Sequence, residues 1–373
     1  MTPRVLFVSK PIVPPWNDGS KNLVRDVANG LTRARPTVLT TRGPRDLLPH
    51  VLTEEVYETS GRFAPGIEAN ARVLLRLLKG DPHDVWHFVF APNPASSYAG
   101  TIAAAARRAL GWRGKVVQTV PSAPKNFEGV SRLLFGDVIV ALSEWTRGRL
   151  LGSGVHKEVR VIPPCAKTLP LASETVLRTL RDQHGWGNAD IVLYPGDYEV
   201  SSGAKTCALA AKTVLAKVPS AHVVFACRTK TDKAETAKAA IDSELRQLGI
   251  RDRVTLLGEV ADMGALIQAA KVIAFPVDDL YGKVDLPLVL LEALALEVPM
   301  VVAKGGPLEE IRSARVVAPK DPEGTAAELV QLLVDAGSRS ACQRGGKDLY
   351  KTRFAPEIAA KSYDDLYEEL LRI

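Results

Sequence analysis

The chain has 373 residues, 46% hydrophobic and 24% charged, a soluble globular balance and more than one core usually serves, so two domains are expected. The formal net charge of +6 is uneven: residues 1–166 carry 22 Lys and Arg against 13 Asp and Glu, and the remainder carries 26 against 29. No apolar run approaches the length of a membrane span, and no basic–aromatic interleaving or nucleic-acid motif occurs, so a spanning segment is excluded and nucleic acid is not the expected partner.

The apolar run "VLFV" is too short for a signal peptide. The four cysteines, Cys165, Cys207, Cys227 and Cys342, are scattered without a Cys-x-x-Cys, which argues against a zinc site or a disulfide framework. Both features point to the cytoplasm. The basic N-terminal half suits an anionic acceptor or an anionic membrane surface, although a solvated basic face explains it equally well.

In chain order, the strand candidates of the first half are "RVLFVS", "TVLTT", "VWHFVF", "KVVQTV", "DVIVAL" and "EVRVIP". Between the first two lies "PPWNDGSKN" (14–22), where Asn17 and Asp18 suit a turn and Gly19 and Ser20 open a helix. His87, in "VWHFVFAPN", is read at the end of its strand, where it either serves catalysis or packs as a hydrogen-bonded core residue. "PPCAKTLPLAS" (163–173) reads as a linker. The second half supplies "DIVLYPG", "HVVFACR", "RVTLLG", "KVIAFPV", "VPMVVA" and "RVVAP". Near-continuous apolar strands alternating with helices indicate parallel sheets covered on both faces. Two series of six strands indicate two doubly wound α/β domains, with ligands expected beyond the carboxyl ends of the strands.

Four stretches of the second half carry candidate chemistry. "LYPGDYEVSSGAK" (193–205) reads as a phosphate-binding turn, with Gly196 and Gly203 before a helix, but Asp197 stands where a cation is wanted. Lys205, Arg228 and Lys230 are the replacement cations, Arg228 having the geometry for bidentate phosphate contacts. In "DLPLVLLEALALE", Asp285 suits a helix cap, and Glu292 has the apolar helical neighbours Leu288, Val289, Ala295 and Leu296. A carboxylate on such a face needs hydrogen-bond donors, and two adjacent ribose hydroxyls would supply them, as would protein groups. Gly305 and Gly306 follow "VPMVVA", where glycine lets the backbone approach a ligand and the next helix would offer amides to an anion. The last helix, "PEIAAKSYDDLYEELLRI", has little sheet left to follow and is expected to dock back across the domain boundary.

Over nearly its whole length the sequence resembles the family 4 group of GT-B glycosyltransferases, retaining enzymes that use nucleotide sugars. The stretches that carry it are "VIVALSEWTRGRLLGSGVHKEVRVIPPC", "RVTLLGEVADMGALIQAAKVIAFPV" and "LPLVLLEALALEVPMVVAKGGPLEE". The resemblance implies two Rossmann-like domains facing each other across a cleft: 1–166 for the acceptor, 167–354 for the nucleotide-sugar donor, and 355–373 as a returning helix. It implies no obligatory metal, and the chain indeed has no Asp-x-Asp.

By this resemblance Glu292 is the second glutamate of the family's pair and holds the ribose. The first falls at Val284, flanked by Lys283 and Asp285, with Asp285 as the candidate substitute near the reacting sugar. The family's diphosphate-binding Arg and Lys fall at Asp197 and Ser202, so the turn is expected to be a rewired anion site, with a merely structural turn as the alternative. Gly19 and Ser20 match the family's first glycine-rich loop, and Pro121 stands where a histidine is usual, leaving His87 as the catalytic candidate. The implied activity is sugar transfer to an acceptor the sequence does not name. A binding protein on the same fold, or a nucleotide-sugar epimerase, is the alternative.

Overall fold

The computed structural model describes residues 2–16, 18–58, 67–80, 82–229 and 231–372. The chain forms two compact units. Unit 1 is Met1–Lys167 with Tyr281–Leu288 and Arg353–Ile373, and unit 2 is Thr168–Leu280 with Val289–Thr352. The change at Lys167 falls within the proline-bearing stretch, and the last helix belongs to unit 1. The return of Tyr281–Leu288 to unit 1 was not expected from the sequence.

Unit 1 is built on a parallel sheet of seven strands: β1 (Arg4–Val8), β2 (Arg35–Thr40), β3 (Leu52–Glu55), β4 (Val85–Val89), β5 (Lys115–Val120), β6 (Val138–Ala141) and β7 (Glu158–Val161), in the order β3-β2-β1-β4-β5-β6-β7. Six are the expected apolar runs. The extra one, β3, is an edge strand whose residues are all at least partly exposed, so its sequence "LTEE" has no apolar run to announce it. The strand order reverses between β1 and β4, which pair from Val5 with Val85.

Unit 2 carries a parallel sheet of six strands: β8 (Asp190–Tyr194), β9 (Ala221–Ala226), β10 (Val254–Leu257), β11 (Ala270–Phe275), β12 (Met300–Ala303) and β13 (Arg315–Val317), in the order β10-β9-β8-β11-β12-β13. All six match the sequence reading. The order reverses between β8 and β11, and such a reversal opens a crevice outside the carboxyl ends of the strands.

The C-terminal helix, Pro356–Arg372, shows why unit 1 needs its distant tail. Ala359, Ala360, Tyr363, Leu366, Tyr367 and Leu370 recur at helical spacing, and all are buried in the main core of unit 1. The helix packs on the first helix, Gly19–Gly30, so closely that a Cβ on Gly30 would lie 2.8 Å from the Cβ of Ala360. Just past that contact the chain leaves the helix, and the amides of Thr32, Arg33 and Ala34 need acceptors outside it. Asp364, itself 1% exposed, accepts from all three: Thr32 N at 3.0 Å, Arg33 N at 3.1 Å and Ala34 N at 2.9 Å.

Asp364→Ala leaves these amides unsatisfied, at about 1–3 kcal/mol for each that stays buried. The expected loss is about 3 kcal/mol in chemical denaturation, with Asp364→Asn intermediate because one acceptor oxygen remains. A loss below about 1 kcal/mol would show that water replaces the carboxylate without cost.

Candidate functional site

The crevice of unit 2 begins at the end of β8. Tyr194 is the last residue of that strand, and its ring runs beneath the turn after it. A Cβ on Gly196 would lie 2.2 Å from Tyr194 Cζ, and one on Gly203 would lie 2.8 Å from Val277 Cγ2 and 2.9 Å from the tyrosine hydroxyl. The hydroxyl donates to the carbonyl of Asp197 at 2.9 Å. Both glycines are therefore required by the packing of Tyr194.

Asp197 closes the turn. Its Oδ1 accepts from Glu199 N at 3.1 Å and Val200 N at 2.7 Å, the aspartate turn that makes the residue a good loop former. Two amides further on, Ser202 N donates to Asp278 Oδ1 at 2.9 Å and Gly203 N to Ser201 Oγ at 3.2 Å. Asp278 lies just past β11, so the Ser202 bond bridges the loops of the two strands at the reversal. These four amides are satisfied by the chain itself. The expected rewired anion site is, as it stands, a self-contained turn, and its carboxylate has a structural task.

Lys205 lies exposed in the first turn of helix Gly203–Lys217, and Arg228 is half-buried just past β9. The loop of Arg228 rests against the turn, because Thr231 Oγ1 donates to Glu199 Oε2 at 2.7 Å. Lys230 lies outside the described residues.

Beyond β12, Gly305 adopts a φ of +93°, and its amide donates to Glu309 Oε1 at 2.7 Å. The next element is a short 3-10 turn, Pro307–Glu310, where the sequence reading had an anion-binding helix. Gly306 differs from its neighbour. Its φ is −148°, and nothing lies within 4 Å of where a Cβ would be, so the fold does not require glycine there.

Glu292 belongs to helix Leu288–Ala295, "LVLLEALA", and is its one charged residue. Leu290, Leu291, Ala293 and Leu294 face the interior and are buried. Val289, Glu292, Ala295 and the adjoining Leu296 are half-buried, at spacings that place them on one side. The helix thus offers an apolar, partly open face with one carboxylate in it.

The remaining candidates are in unit 1. His87 is in the middle of β4, not at its end, and is 1% exposed. Nδ1 bonds Tyr367 Oη and Nε2 bonds Thr119 Oγ1, each at 2.7 Å, and the rings of Phe7, Tyr363 and Tyr367 surround it. Burial pushes its imidazole down to about 3. His87 is a neutral core histidine, and the catalytic expectation is withdrawn.

Gly19 and Ser20 do open the first helix, but Asp18 caps it, accepting from Ser20 N at 2.9 Å, Lys21 N at 3.3 Å and Ser20 Oγ at 2.6 Å. Burial opposes the Asp18 charge. Lys10, whose Nζ is 2.7 Å away, and the cap bonds outweigh it and hold the carboxyl below its usual range. The helix start is therefore filled by the chain's own anion.

Asp285 is 1% exposed, and its Oδ2 accepts from Ser143 Oγ at 2.6 Å. The helix after it begins only at Leu288, so the reacting-group role gives way to a buried structural one. Lys283 is half-buried beside it. Sequence reasoning missed Tyr194, Ser143 and Asp278, whose partners are distant in the chain or visible only in the packing of the turn. Among the described residues no group of three or more His, Cys, Asp or Glu is placed to hold a metal, and no helix is long and apolar enough to cross a membrane.

Residues 189–335 match the family model described as glycosyl transferases group 1. Solved structures share the fold over essentially the whole chain. The Anabaena protein Alr3699/HepE, solved with UDP and glucose, is 17% identical with a TM-score of 0.74, covering 98% of this chain and 99% of that one. Sucrose-phosphate synthase from Thermosynechococcus elongatus is 17% identical with a TM-score of 0.75, covering 99% of each chain. A glycosyltransferase from Rickettsia africae is 15% identical with a TM-score of 0.74, covering 100% of this chain and 99% of that one. Among curated protein sequences none matches. The chain has the GT-B fold.

Within this GT-B frame the sequence departures acquire physical causes. Asp197 forms a turn, Ser202 is tied to Asp278, and Val284 lies in the core of unit 1 at 7% exposure. Gly306 is the glycine of the site that neither packing nor backbone strain requires, and Glu292 is the one charge on a half-open helix face.

The paired glycines respond differently to a methyl group. Gly305→Ala strains a left-handed backbone and is expected to destabilise unit 2 by about 1 kcal/mol. Gly306→Ala has no such strain and is expected to unfold like the wild type, within about 0.5 kcal/mol. Equal losses for both in chemical denaturation would mean that Gly306 too is held by packing.

Burial of His87 makes stability depend on pH. An unfolded histidine takes up a proton below about 6.5, whereas the native one resists until about 3. Its contribution is therefore intact above pH 6.5 and is lost progressively as pH falls toward 3. The stability difference between pH 7.5 and pH 5 is expected to shrink in His87→Gln. An unchanged difference would mean that His87 is already charged in the native state.

Proposed function

We propose that the protein is a nucleotide-sugar-dependent glycosyltransferase, moving a sugar from a nucleoside diphosphate donor to an acceptor hydroxyl. The anomeric configuration is retained, as the family resemblance implies. The observation that carries this reading is the Glu292 face: a half-buried carboxylate, the one charge of an otherwise apolar helix, inside the segment that matches group 1 glycosyl transferases. Two adjacent ribose hydroxyls are donors spaced for one carboxylate, and Val289, Ala295 and Leu296 offer apolar contact beside them.

Arg228 and Lys205 compensate the donor diphosphate in place of the turn, whose amides already have acceptors. Gly306 allows backbone approach to the same ligand. The reaction breaks the bond from the anomeric carbon to the diphosphate oxygen and joins that carbon to the acceptor oxygen, whose proton leaves. The protein's share is positioning and electrostatic support of the departing diphosphate. Donor binding proceeds without a divalent metal, a reading supported by the lack of Asp-x-Asp.

Anabaena Alr3699/HepE is solved with UDP-glucose, which makes UDP the first nucleotide to test. The acceptor meets unit 1, where the positive excess of residues 1–166 favours an anionic molecule or peripheral contact with an anionic membrane surface in the cytoplasm. A protein that binds donor without turning it over is the second reading, favoured by Asp197 and Val284 standing where the family has functional charges. Release of nucleoside diphosphate separates the two.

Glu292→Gln keeps the shape and helix propensity and removes the charge. UDP affinity is expected to fall at least tenfold, about 1.4 kcal/mol, in calorimetry, with the melting temperature retained. A 2′,3′-modified nucleotide should bind the wild type poorly and lose little more in the variant. A folded Glu292→Gln that binds UDP like the wild type moves the donor site elsewhere.

A further inference from the structure

The segment Tyr281–Leu288 interrupts the second half of the chain and is built into unit 1. Val284 belongs to the main core of unit 1, with Val5, Phe7, Val117 and Val140. Its Cγ2 occupies the space of the missing side chain at Gly19, since a Cβ there would lie 2.2 Å from it. Asp285 is held at both ends: its amide donates to Pro121 O at 3.3 Å and its carboxylate accepts from Ser143 Oγ at 2.6 Å. Ser143 Oγ in turn caps helix Glu144–Gly152 by accepting from Thr146 N at 3.0 Å. Leu286 and Leu288 are buried, and Lys125 Nζ lies 5.9 Å from the ring of Tyr281. The segment is thus fastened to residues that come after β1, β5 and β6, as a strap along the carboxyl ends of the strands.

Leu288 is both the last residue of the strap in unit 1 and the first residue of the Glu292 helix. That helix has only 8 residues, and so short a helix is not stable by its own propensity. Its position depends on what holds its ends and its buried face. Glu292 is one turn from Leu288, so the strap holds the start of the turn that carries the carboxylate.

We propose that the docked strap positions the Glu292 helix, making Gly19, Val284, Asp285 and Ser143 positioning residues for nucleotide binding although they need not touch the nucleotide. For its affinity arm the proposal rests on the donor reading of Glu292; for its structural arm it does not.

The experiment combines hydrogen exchange over residues 281–288 and 289–296 with UDP affinity. Gly19→Ala drives a methyl into Val284 and is expected to speed exchange in both segments at least tenfold and to weaken UDP at least fivefold. Adding Val284→Ala makes room for that methyl and is expected to restore both. Should Gly19→Ala fail to fold, Asp285→Asn is used instead, since it weakens the Ser143 bond, leaves the cap of helix Glu144–Gly152 in place and is expected to shift both readouts in the same direction. Faster exchange confined to 281–288, with 289–296 and UDP affinity unchanged, overturns the proposal, as does exchange unchanged by every variant. If exchange rises in both segments but the wild type binds no UDP, the positioning stands and the donor reading of Glu292 falls.

Discussion

Backbone amides that neither a helix nor a sheet can satisfy are the constraint on which the loops of this protein depend. The chain meets it repeatedly with its own carboxylates. Asp364 takes three amides past the first helix, Asp18 takes two at its start, Asp197 takes two after β8, and Asp278 and Glu309 take one each after β11 and β12. A buried donor without an acceptor costs more than a typical hydrogen bond contributes, so the buried Asp364 and Asp18 are fixed by the fold before any ligand is considered, while the exposed bonds of Asp278 and Glu309 shape their loops at lower stakes. An acid at such a place is no evidence of chemistry, and neither is a glycine beside it.

That constraint also explains where the sequence was legible. Nine of the strands show as apolar runs because sheets covered on both faces bury nearly every residue, and the edge strands β7, β10 and β13, though less covered, keep enough valine and leucine to be read. The edge strand Leu52–Glu55 is not so covered and leaves no such trace. His87 looked available because a histidine in an apolar strand does not reveal which face it takes. The residues that settle the matter, Thr119 and Tyr367, lie far along the chain. The strap was hidden for the same reason. Nothing in "YGKVDLPL" shows that Val284 will meet Gly19 or that Asp285 will meet Ser143.

The glycines divide along the same line. Gly196 and Gly203 make way for Tyr194, Gly19 for Val284 and Gly30 for Ala360, while Gly305 serves a left-handed turn. In sequence all of them, like Gly306, are glycines next to strands or helix ends. Only the space around each Cα separates them, and Gly306 alone among those at the candidate site is neither crowded nor strained. Local pattern finds the turn, and packing decides what the turn is for.

On the proposed donor reading, a diphosphate arriving at the reversal between β8 and β11 would meet amides already bonded to Asp197 and Asp278. The end of an exposed helix contributes only about 0.3–1 kcal/mol toward an anion, and displacing a carboxylate from an amide consumes part of that. The turn therefore cannot anchor the donor by itself. Affinity has to come from groups whose interactions strengthen on binding, which means cations on long side chains for the diphosphate and a carboxylate on a rigid helix for the ribose. On that reading Lys205 and Arg228 take the first task and Glu292 the second. Cations on flexible stems lose rotamer freedom when they bind, whereas Glu292 sits on a helix whose start is tied into the core of unit 1 through Val284 and Asp285. In such a site the ribose end, not the phosphate end, sets where the nucleotide lies.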